Sequence, residues 1–161
     1  MKKIIAVFIS LLLIICSFAG CSRVGCNAVI LKEGLVCRET WLENNQTLGS
    51  LQGGKQGYDD SLPESRTYII QNQAQLEEIF SDFPEIDFDK ETVLVYCYTT
   101  VYLRKQKLEK VSLENGVLTV AFDVVRGKLG HADAAAPHTR LCVIRLDKVD
   151  VTEVNITYNG Q

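Results

Sequence analysis

The sequence predicts an α+β fold: a mostly antiparallel β-sheet or small sandwich with one packed helix, after an N-terminal signal segment. Three observations lead to this prediction. They are a short apolar leader that stops at a cysteine, one segment with helical periodicity, and a series of apolar strands separated by turn residues. No repeat, heptad or low-complexity tract interrupts this series. Residues 21–161 have the usual size of one domain and are long enough to bury a core.

The leader has the pattern of a bacterial secretory signal. Lys2 and Lys3 precede an apolar segment, residues 4–18, that is shorter than the roughly 20 residues of a membrane-spanning helix. The Ala-Gly-Cys sequence ending at Cys21 resembles the end of a lipoprotein signal, in which the cysteine receives a diacylglycerol and becomes the first mature residue. We therefore predict a signal over 1–20 and an extracytoplasmic domain over 21–161. The alternative is an ordinary secretory signal that leaves Cys21 free.

Lipidation of Cys21 predicts a location. Two or more acyl chains, such as diacylglycerol with palmitate, hold a protein firmly on a bilayer. We expect the domain on the bacterial cell membrane, facing outside the cytoplasm. Removal of Lys2 and Lys3 with the signal changes the formal net charge from −3 to −5. This acidic balance, without a basic cluster, argues against nucleic acid as a partner and leaves membrane binding to the lipid.

The cysteines fit an oxidising compartment. With Cys16 in the signal and Cys21 lipidated, four remain, and they allow two disulfides in three connectivities. A hairpin is predicted from 27–31 and 35–41, turning at 32–34, and Cys26–Cys37 would join its open end. Cys97 and Cys142 lie in apolar strands that we expect to be neighbours. They either pair or remain buried thiols, and zinc binding by four thiolates is a third option that no Cys-x-x-Cys spacing supports.

One helix is predicted after a short strand at 67–70. Asn72 and Gln75 form a helix start in which amide side chains cap free backbone N–H groups. The next apolar residues follow the i, i+3, i+4, i+7 spacing of one buried helical face: Leu76, Ile79, Phe80 and Phe83. Pro84 is predicted to end this helix.

The strands that follow build the sheet. Residues 92–99 are apolar on both faces, which indicates a central strand covered on both sides. Asn115-Gly116 is a two-residue hairpin signal between 108–113 and 117–125. Strands at 102–104, 140–146 and 152–158 complete the predicted sheet.

Two irregular segments are the expected location of function, since binding residues concentrate on loops. Residues 44–65 are rich in Gly, Ser, Asn and Asp, and residues 126–139 connect two core strands. Aromatic residues that a partner would contact are Trp41, Tyr58 and Tyr102, because Trp and Tyr are enriched at interface hot spots. The alternative is that these aromatic residues pack in the core.

A metal-dependent or thiol-dependent enzyme is the competing hypothesis. His131, Asp133 and His138 carry zinc-type ligands within the second segment, although no helix aligns them. A Cys97 or Cys142 nucleophile would need a histidine base. The alternating acids Glu85, Asp87 and Asp89 could form a carboxylate pair, but such a series is more typical of a solvated edge. No catalytic residue, cofactor or metal is therefore assigned.

One stretch resembles a known family. TYIIQNQAQLEEIFSDFPEIDFDKETVLVYCY, Thr67 to Tyr98, is similar to the opening of the PrcB C-terminal domain, a family named after a protease complex. The matching residues are Tyr68, Ile69, Leu76, Ile79, Phe80, Asp87, Phe88, Val93 and Val95. AAAPHTRLCVIRLDK, Ala134 to Lys148, is similar to a late strand of that family, so the resemblance covers about residues 49–157. The resemblance implies an extracytoplasmic β-rich domain associated with a surface protease complex, and it implies no catalytic residues.

These observations favour a non-enzymatic function. We expect a lipid-anchored binding or accessory module, and the resemblance implies that it is associated with a protease. Its partners would be the membrane, through Cys21, and a protein at the cell surface.

Overall fold

The computed structural model describes residues 24–31, 35–49, 51–52, 55–56, 59–100, 106–124 and 138–159. These residues form twelve strands and two helices. The helices are α1 (Glu39–Asn44) and α2 (Gln73–Ile79). The strands are β1 (Val24–Gly25), β2 (Ala28–Leu31), β3 (Val36–Cys37), β4 (Leu51–Gln52), β5 (Lys55–Gln56), β6 (Ser65–Ile70), β7 (Phe80–Asp82), β8 (Glu91–Thr100), β9 (Gln106–Glu114), β10 (Val117–Val124), β11 (His138–Asp147) and β12 (Glu153–Asn159).

Two four-stranded sheets form the body of the domain. Sheet A has the order β1-β9-β10-β12, and sheet B has the order β2-β11-β8-β6. Their pairings are antiparallel except β10 with β12, which run parallel. The chain passes from sheet A to sheet B between β1 and β2, where the amide of Cys26 donates to the carbonyl of Val111 on β9 at 3.2 Å.

The two sheets pack face to face around a sandwich core. Side chains from both sheets are fully buried in it: Leu94 and Ile144 from sheet B, and Leu118, Val120 and Phe122 from sheet A. Aromatic rings continue through this core, with Tyr96 stacked between Tyr98 and Phe122 at centroid distances of 4.9 and 6.0 Å. The hydroxyls of Tyr96 and Tyr158 are hydrogen-bonded to each other at 2.8 Å. Each of these two phenols therefore keeps a polar partner.

The second face of sheet B is covered by the helices and β7. This covered core contains Leu76 and Ile79 of α2, Phe80 of β7, and Val93, Val95 and Cys97 of β8. The side chain of Asn72 accepts a hydrogen bond from the amide of Gln75 at 3.0 Å, which confirms the predicted helix start. Sheet B is thus buried on both faces, and β8 shows this in an almost continuous run of buried residues.

The predicted fold class is confirmed, and so is the predicted two-residue turn. Asn115 and Gly116 have φ angles of +52° and +81°, the left-handed conformations that a type I′ hairpin needs. Strand β9 pairs with β10 across this turn, from Glu114 opposite Val117 onward. Outside the predicted N-terminal hairpin, the other predicted strands are found within a few residues of their expected bounds, apart from 102–104, which lies outside the described residues.

The predicted N-terminal hairpin is wrong. Strand β2 pairs with β11, β3 pairs with β7, and residues 39–44 are helical. The local alternation of apolar residues indicated strands but did not identify their partners. In the observed arrangement, Trp41 and Cys37 bury apolar surface against the covered core.

The predicted helix corresponds to α2, and its predicted end at Pro84 is also wrong. Helix α2 stops at Ile79, and Phe80 adopts an extended conformation at the start of β7, four residues before Pro84. Phe80 is opposite Cys37 in the β3–β7 pair and is fully buried. Burial of an aromatic ring in a tertiary pairing outweighs a local helical periodicity, because intrinsic helix preferences amount to only some tenths of a kcal/mol per residue.

Replacement of Gly116 by alanine should destabilise the domain. A Cβ at this position would lie 2.6 Å from the Thr152 hydroxyl oxygen, and the positive φ disfavours any side chain. We expect a loss of about 1–3 kcal/mol in the free energy of unfolding, measured by urea denaturation. Gly25→Ala is the matched control, since a Cβ there meets no atom within 4 Å. Equal losses in the two variants would contradict the steric argument.

Candidate functional site

The first irregular segment contacts the last residue of the second at one end of sheet B. Thr47, in the first segment, contacts Thr139 at the start of β11 and Thr99 near the end of β8. We call this end of the sandwich, defined by Thr47, Thr99 and Thr139, the threonine end. It is the part of the described chain where both segments predicted to carry function come together.

Three hydroxyls hold the threonine end together. Thr99 donates to the hydroxyl oxygen of Thr47 at 2.8 Å, and the hydroxyls of Thr47 and Thr139 are 3.0 Å apart. The amide of Gly49 donates to Thr99 Oγ1 at 2.8 Å. Thr47 is fully buried, and a buried hydroxyl without a partner is costly, so this network fixes the path of residues 47–49 across the sheet.

A second set of polar contacts joins the same segment to strand β6. Arg66 of β6 donates from Nε to the carbonyl of Gln46 at 3.1 Å. The Tyr68 hydroxyl donates to Asn45 Oδ1 at 2.6 Å, and Asn45 Nδ2 donates to the carbonyl of Trp41 at 2.8 Å. Residues 45–49 are therefore attached to three strands of sheet B before the segment continues toward β4.

The predicted contact aromatics divide into two groups. Trp41 is half-buried in the covered core, with its ring 5.2 Å from that of Tyr68 in an edge-on arrangement. Trp41 therefore packs in the core, which was the alternative to a role in contacting a partner. Tyr58 and Tyr102 lie outside the described residues, and their roles stay predictions.

The predicted metal ligands are only partly covered by the structure. His131 and Asp133 fall outside the described residues, and His138 is the first residue of β11. In the described part of the chain, no group of three or more His, Cys, Asp and Glu side chains is arranged to hold a metal ion.

The two predicted disulfide pairs are not brought together. None of the four residues Cys26, Cys37, Cys97 and Cys142 forms a disulfide in the structure. Cys26 and Cys142 belong to the sandwich core, whereas Cys37 and Cys97 belong to the covered core. Strands β8 and β11 are neighbours as expected, but Cys97 is opposite Leu141 and Cys142 is opposite Tyr96, so the two thiols point to opposite faces of sheet B.

Burial makes the two strand cysteines poor nucleophiles. It raises the pKa of Cys97 to about 12, with a further contribution from the charge of Cys37 and a small opposing one from Arg66. Burial likewise raises the pKa of Cys142 to about 11. Because the thiolate is the reactive species, these raised pKa values slow the reaction of both thiols with reagents in solution at neutral pH.

The acidic residues before β8 form a turn. The Lys90 ammonium donates to Asp87 Oδ2 at 2.7 Å, and the amide of Asp89 donates to Asp87 Oδ1 at 3.2 Å. The hydrogen bond from Lys90 lowers the pKa of the Asp87 carboxyl below its ordinary value. A general acid at neutral pH needs the opposite shift, so this geometry matches a solvated edge.

Comparison with known proteins identifies no relative. No family model matches the chain, and no curated protein or solved structure shows significant similarity to it. Among the described residues, no helix has the length and apolar character needed to cross a membrane.

The threonine network was not predicted from the sequence. Thr47 and Thr139 are 92 residues apart in the chain, and Thr residues are common on strands and in loops. Thr99 and Thr139 lie opposite each other in the β8–β11 pair. Only this register shows that three dispersed hydroxyls meet.

Removal of the central hydroxyl should weaken the threonine end. Thr47→Val keeps the branched shape but deprives Thr99 and Thr139 of a buried partner, so we expect a loss of about 1–3 kcal/mol in the free energy of unfolding, measured by urea denaturation. Thr119→Val on β10 is the matched control. Thr119 lies between two residues of the sandwich core, so its side chain points to the other face of sheet A. A loss at Thr119 as large as at Thr47 would contradict the role of the network.

The thiols should react with iodoacetamide in a defined order. In folded, reduced protein at pH 7.5, we expect Cys97 and Cys142 to react at least about 100-fold more slowly than in denatured protein, because little thiolate forms at their raised pKa values. Half-buried Cys26 and Cys37 serve as internal references that should react faster. Mass spectrometry of the labelled peptides measures each rate. Rapid labelling of Cys97 or Cys142 would favour the thiol-dependent enzyme.

Proposed function

We propose that the protein is a lipid-anchored, non-enzymatic binding or accessory module that captures a protein partner at the bacterial cell surface through its threonine end. The observation that carries the proposal is the junction of both irregular segments at Thr47, Thr99 and Thr139. Loops held by a rigid sheet are the usual place for binding residues.

The position of the anchor supports this assignment. Val24, three residues after Cys21, already pairs with Leu113 of β9, and three residues span at most about 10 Å. Lipid on Cys21 would therefore hold this part of the domain close to the bilayer. We call it the anchor end, defined by the Val24–Leu113 pair and by two further contacts. The Thr152 amide donates to the Gly116 carbonyl at 2.8 Å, and the Asn27 amide donates to Asp147 Oδ2 at 3.0 Å.

The threonine end lies at the far end of sheet B from the anchor end. Strand β11 runs from His138 to Asp147, so the Thr139 network and the Asn27–Asp147 contact are separated by nearly its whole length. At about 3.3 Å per residue this separation is on the order of 25 Å. A module anchored at one end and carrying its loops at the other is suited to partner capture away from the membrane.

The chemistry of the described residues favours binding over catalysis. Cys97 and Cys142 have raised pKa values, and the Asp87 carboxyl is held by Lys90. The hydroxyls of the threonine end bind one another, which suits a structural role. The PrcB resemblance of residues 67–98 favours a surface protease complex as the partner.

The anchor is tested by lipid labelling. We expect the wild-type protein to incorporate labelled palmitate and to sediment with membranes, whereas Cys21→Ser should incorporate no label and lose this attachment. Cys26→Ser is the matched control and should behave as wild type. Incorporation of label into Cys21→Ser would contradict the anchor.

The partner is tested by cross-linking from native membranes, with the full lipidated protein as bait and an amine-reactive cross-linker. The lysines of the irregular segments, Lys55 and Lys128, should carry the cross-links. Lys90 and Lys148 should not, because they lie at the anchor end, where the amide of Lys148 donates to the carbonyl of Lys90 at 2.7 Å. Cross-links confined to Lys90 and Lys148, or recovery of the bait alone, would contradict the proposal.

Tyr58→Ala should weaken capture of the protein partner without changing the melting temperature of the domain.

A further inference from the structure

The two faces of sheet B restrict which cysteines can form a disulfide. Cys142 faces the sandwich core, and Cys97 faces the covered core. A disulfide needs the two Cβ atoms within about 4.5 Å, and no backbone adjustment brings side chains through a packed sheet. The pairs Cys97–Cys142 and Cys37–Cys142 are excluded, as are Cys26–Cys37 and Cys26–Cys97.

The pair Cys26–Cys142 shares the sandwich core but fails on distance. Strand β2 is in register with β11, with Ala28 opposite Leu146 and Leu31 opposite Val143. Cys26 precedes β2, so it lies beyond the Leu146 end of β11, while Cys142 lies toward the other end. The register places them about six residues apart along the strand direction, or roughly 20 Å.

Cys37 and Cys97 remain, and both belong to the covered core. Cys37 on β3 is opposite Phe80 in the β3–β7 pair, and Phe80 and Cys97 are both fully buried in this core. A charge on Cys37 contributes to the raised pKa of Cys97, which agrees with the two thiols being near each other. One thiol is half-buried and the other fully buried. An oxidant in solution therefore reaches Cys37 first.

We propose that Cys37 and Cys97 are a disulfide-forming pair, and that theirs is the connectivity this fold selects among Cys26, Cys37, Cys97 and Cys142. The oxidant is a small-molecule or protein disulfide. The Cys37 thiolate attacks one sulfur of the oxidant, forms a mixed disulfide and releases one thiol. The Cys97 thiol then loses its proton and its sulfur attacks the Cys37 sulfur, which releases the second thiol. This step is intramolecular, so the small thiolate fraction of Cys97 is sufficient where it is too small for rapid reaction with a reagent in solution. Two protein thiols are oxidised, one disulfide of the oxidant is reduced to two thiols, and the protons pass to these products.

The bond would join two layers of the domain. Strand β3 belongs to the layer that covers sheet B, and β8 is central in that sheet. A bridge between them closes a long loop that includes α1, β6 and α2, and closure of long loops restricts the unfolded chain most. The proposal goes beyond the proposed function and does not rest on the lipid anchor, since the oxidant can be supplied in solution.

Trypsin separates the four cysteines, which makes the test direct. Cys26, Cys37, Cys97 and Cys142 fall in the peptides VGCNAVILK, EGLVCR, ETVLVYCYTTVYLR and LCVIR, respectively. We would incubate reduced full-length protein in detergent with oxidised glutathione, block the remaining thiols with N-ethylmaleimide, and digest without reduction. The expected result is EGLVCR linked to ETVLVYCYTTVYLR, with Cys26 and Cys142 carrying N-ethylmaleimide or glutathione. A link involving VGCNAVILK or LCVIR, or glutathione retained on Cys37 with Cys97 unoxidised, would overturn the proposal.

Two variants add a stability measurement. Oxidation of the wild type should raise the melting temperature by about 10 °C. Cys37→Ser should abolish both the link and this rise, and serine is tolerated at a half-buried position. Cys26→Ser, also half-buried but on the other face of sheet B, is the matched control and should keep both. Loss of the link in Cys26→Ser, or its persistence in Cys37→Ser, would contradict the assignment.

Discussion

The domain depends on the burial of strand β8 on both faces. Leu94, Tyr96 and Tyr98 enter the sandwich core, while Val93, Val95 and Cys97 enter the covered core. Complete burial of a large apolar side chain contributes about 1.5–3 kcal/mol, and β8 supplies several in succession. Sheet A is needed to cover one face, and α1, α2 and β7 are needed to cover the other. The threonine end follows from this arrangement, because β8 ends and the antiparallel strand β11 begins there.

Much of this arrangement could be predicted from local sequence. The run from Thr92 to Thr99 has no polar face, and only a strand covered on both sides tolerates that pattern. Asn115-Gly116 accepts the positive φ angles of a tight turn, and Asn72 caps the helix that follows it. Each of these features is decided by neighbouring residues, so a single sequence contains the necessary information.

The features that could not be predicted depend on distant partners. Alternation in 28–31 and 35–37 indicates strands, but the pairings with β11 and β7 are set by surfaces elsewhere in the fold. The same limit applies to the cysteines. A shift of one residue in register moves a side chain to the opposite face of a sheet, so the adjacency of β8 and β11 alone could not decide whether Cys97 meets Cys142. The hydroxyl network needs the same register to be known.

The proposed function and the proposed disulfide use different parts of this architecture. Capture of a partner uses the distance between the anchor end and the threonine end, which β11 spans. The disulfide uses the separation of the two faces of sheet B. Both depend on sheet B remaining intact, and therefore on the burial of β8.

Native-state hydrogen exchange tests this dependence most directly. The amides of Val93, Leu94 and Val95 should exchange only through global unfolding, with an opening free energy equal to that from urea denaturation. The amides of edge strand β12, such as Ile156, should open at lower free energy. Exchange of the β8 amides at a free energy well below the global value, or below that of β12, would contradict the central place of this strand.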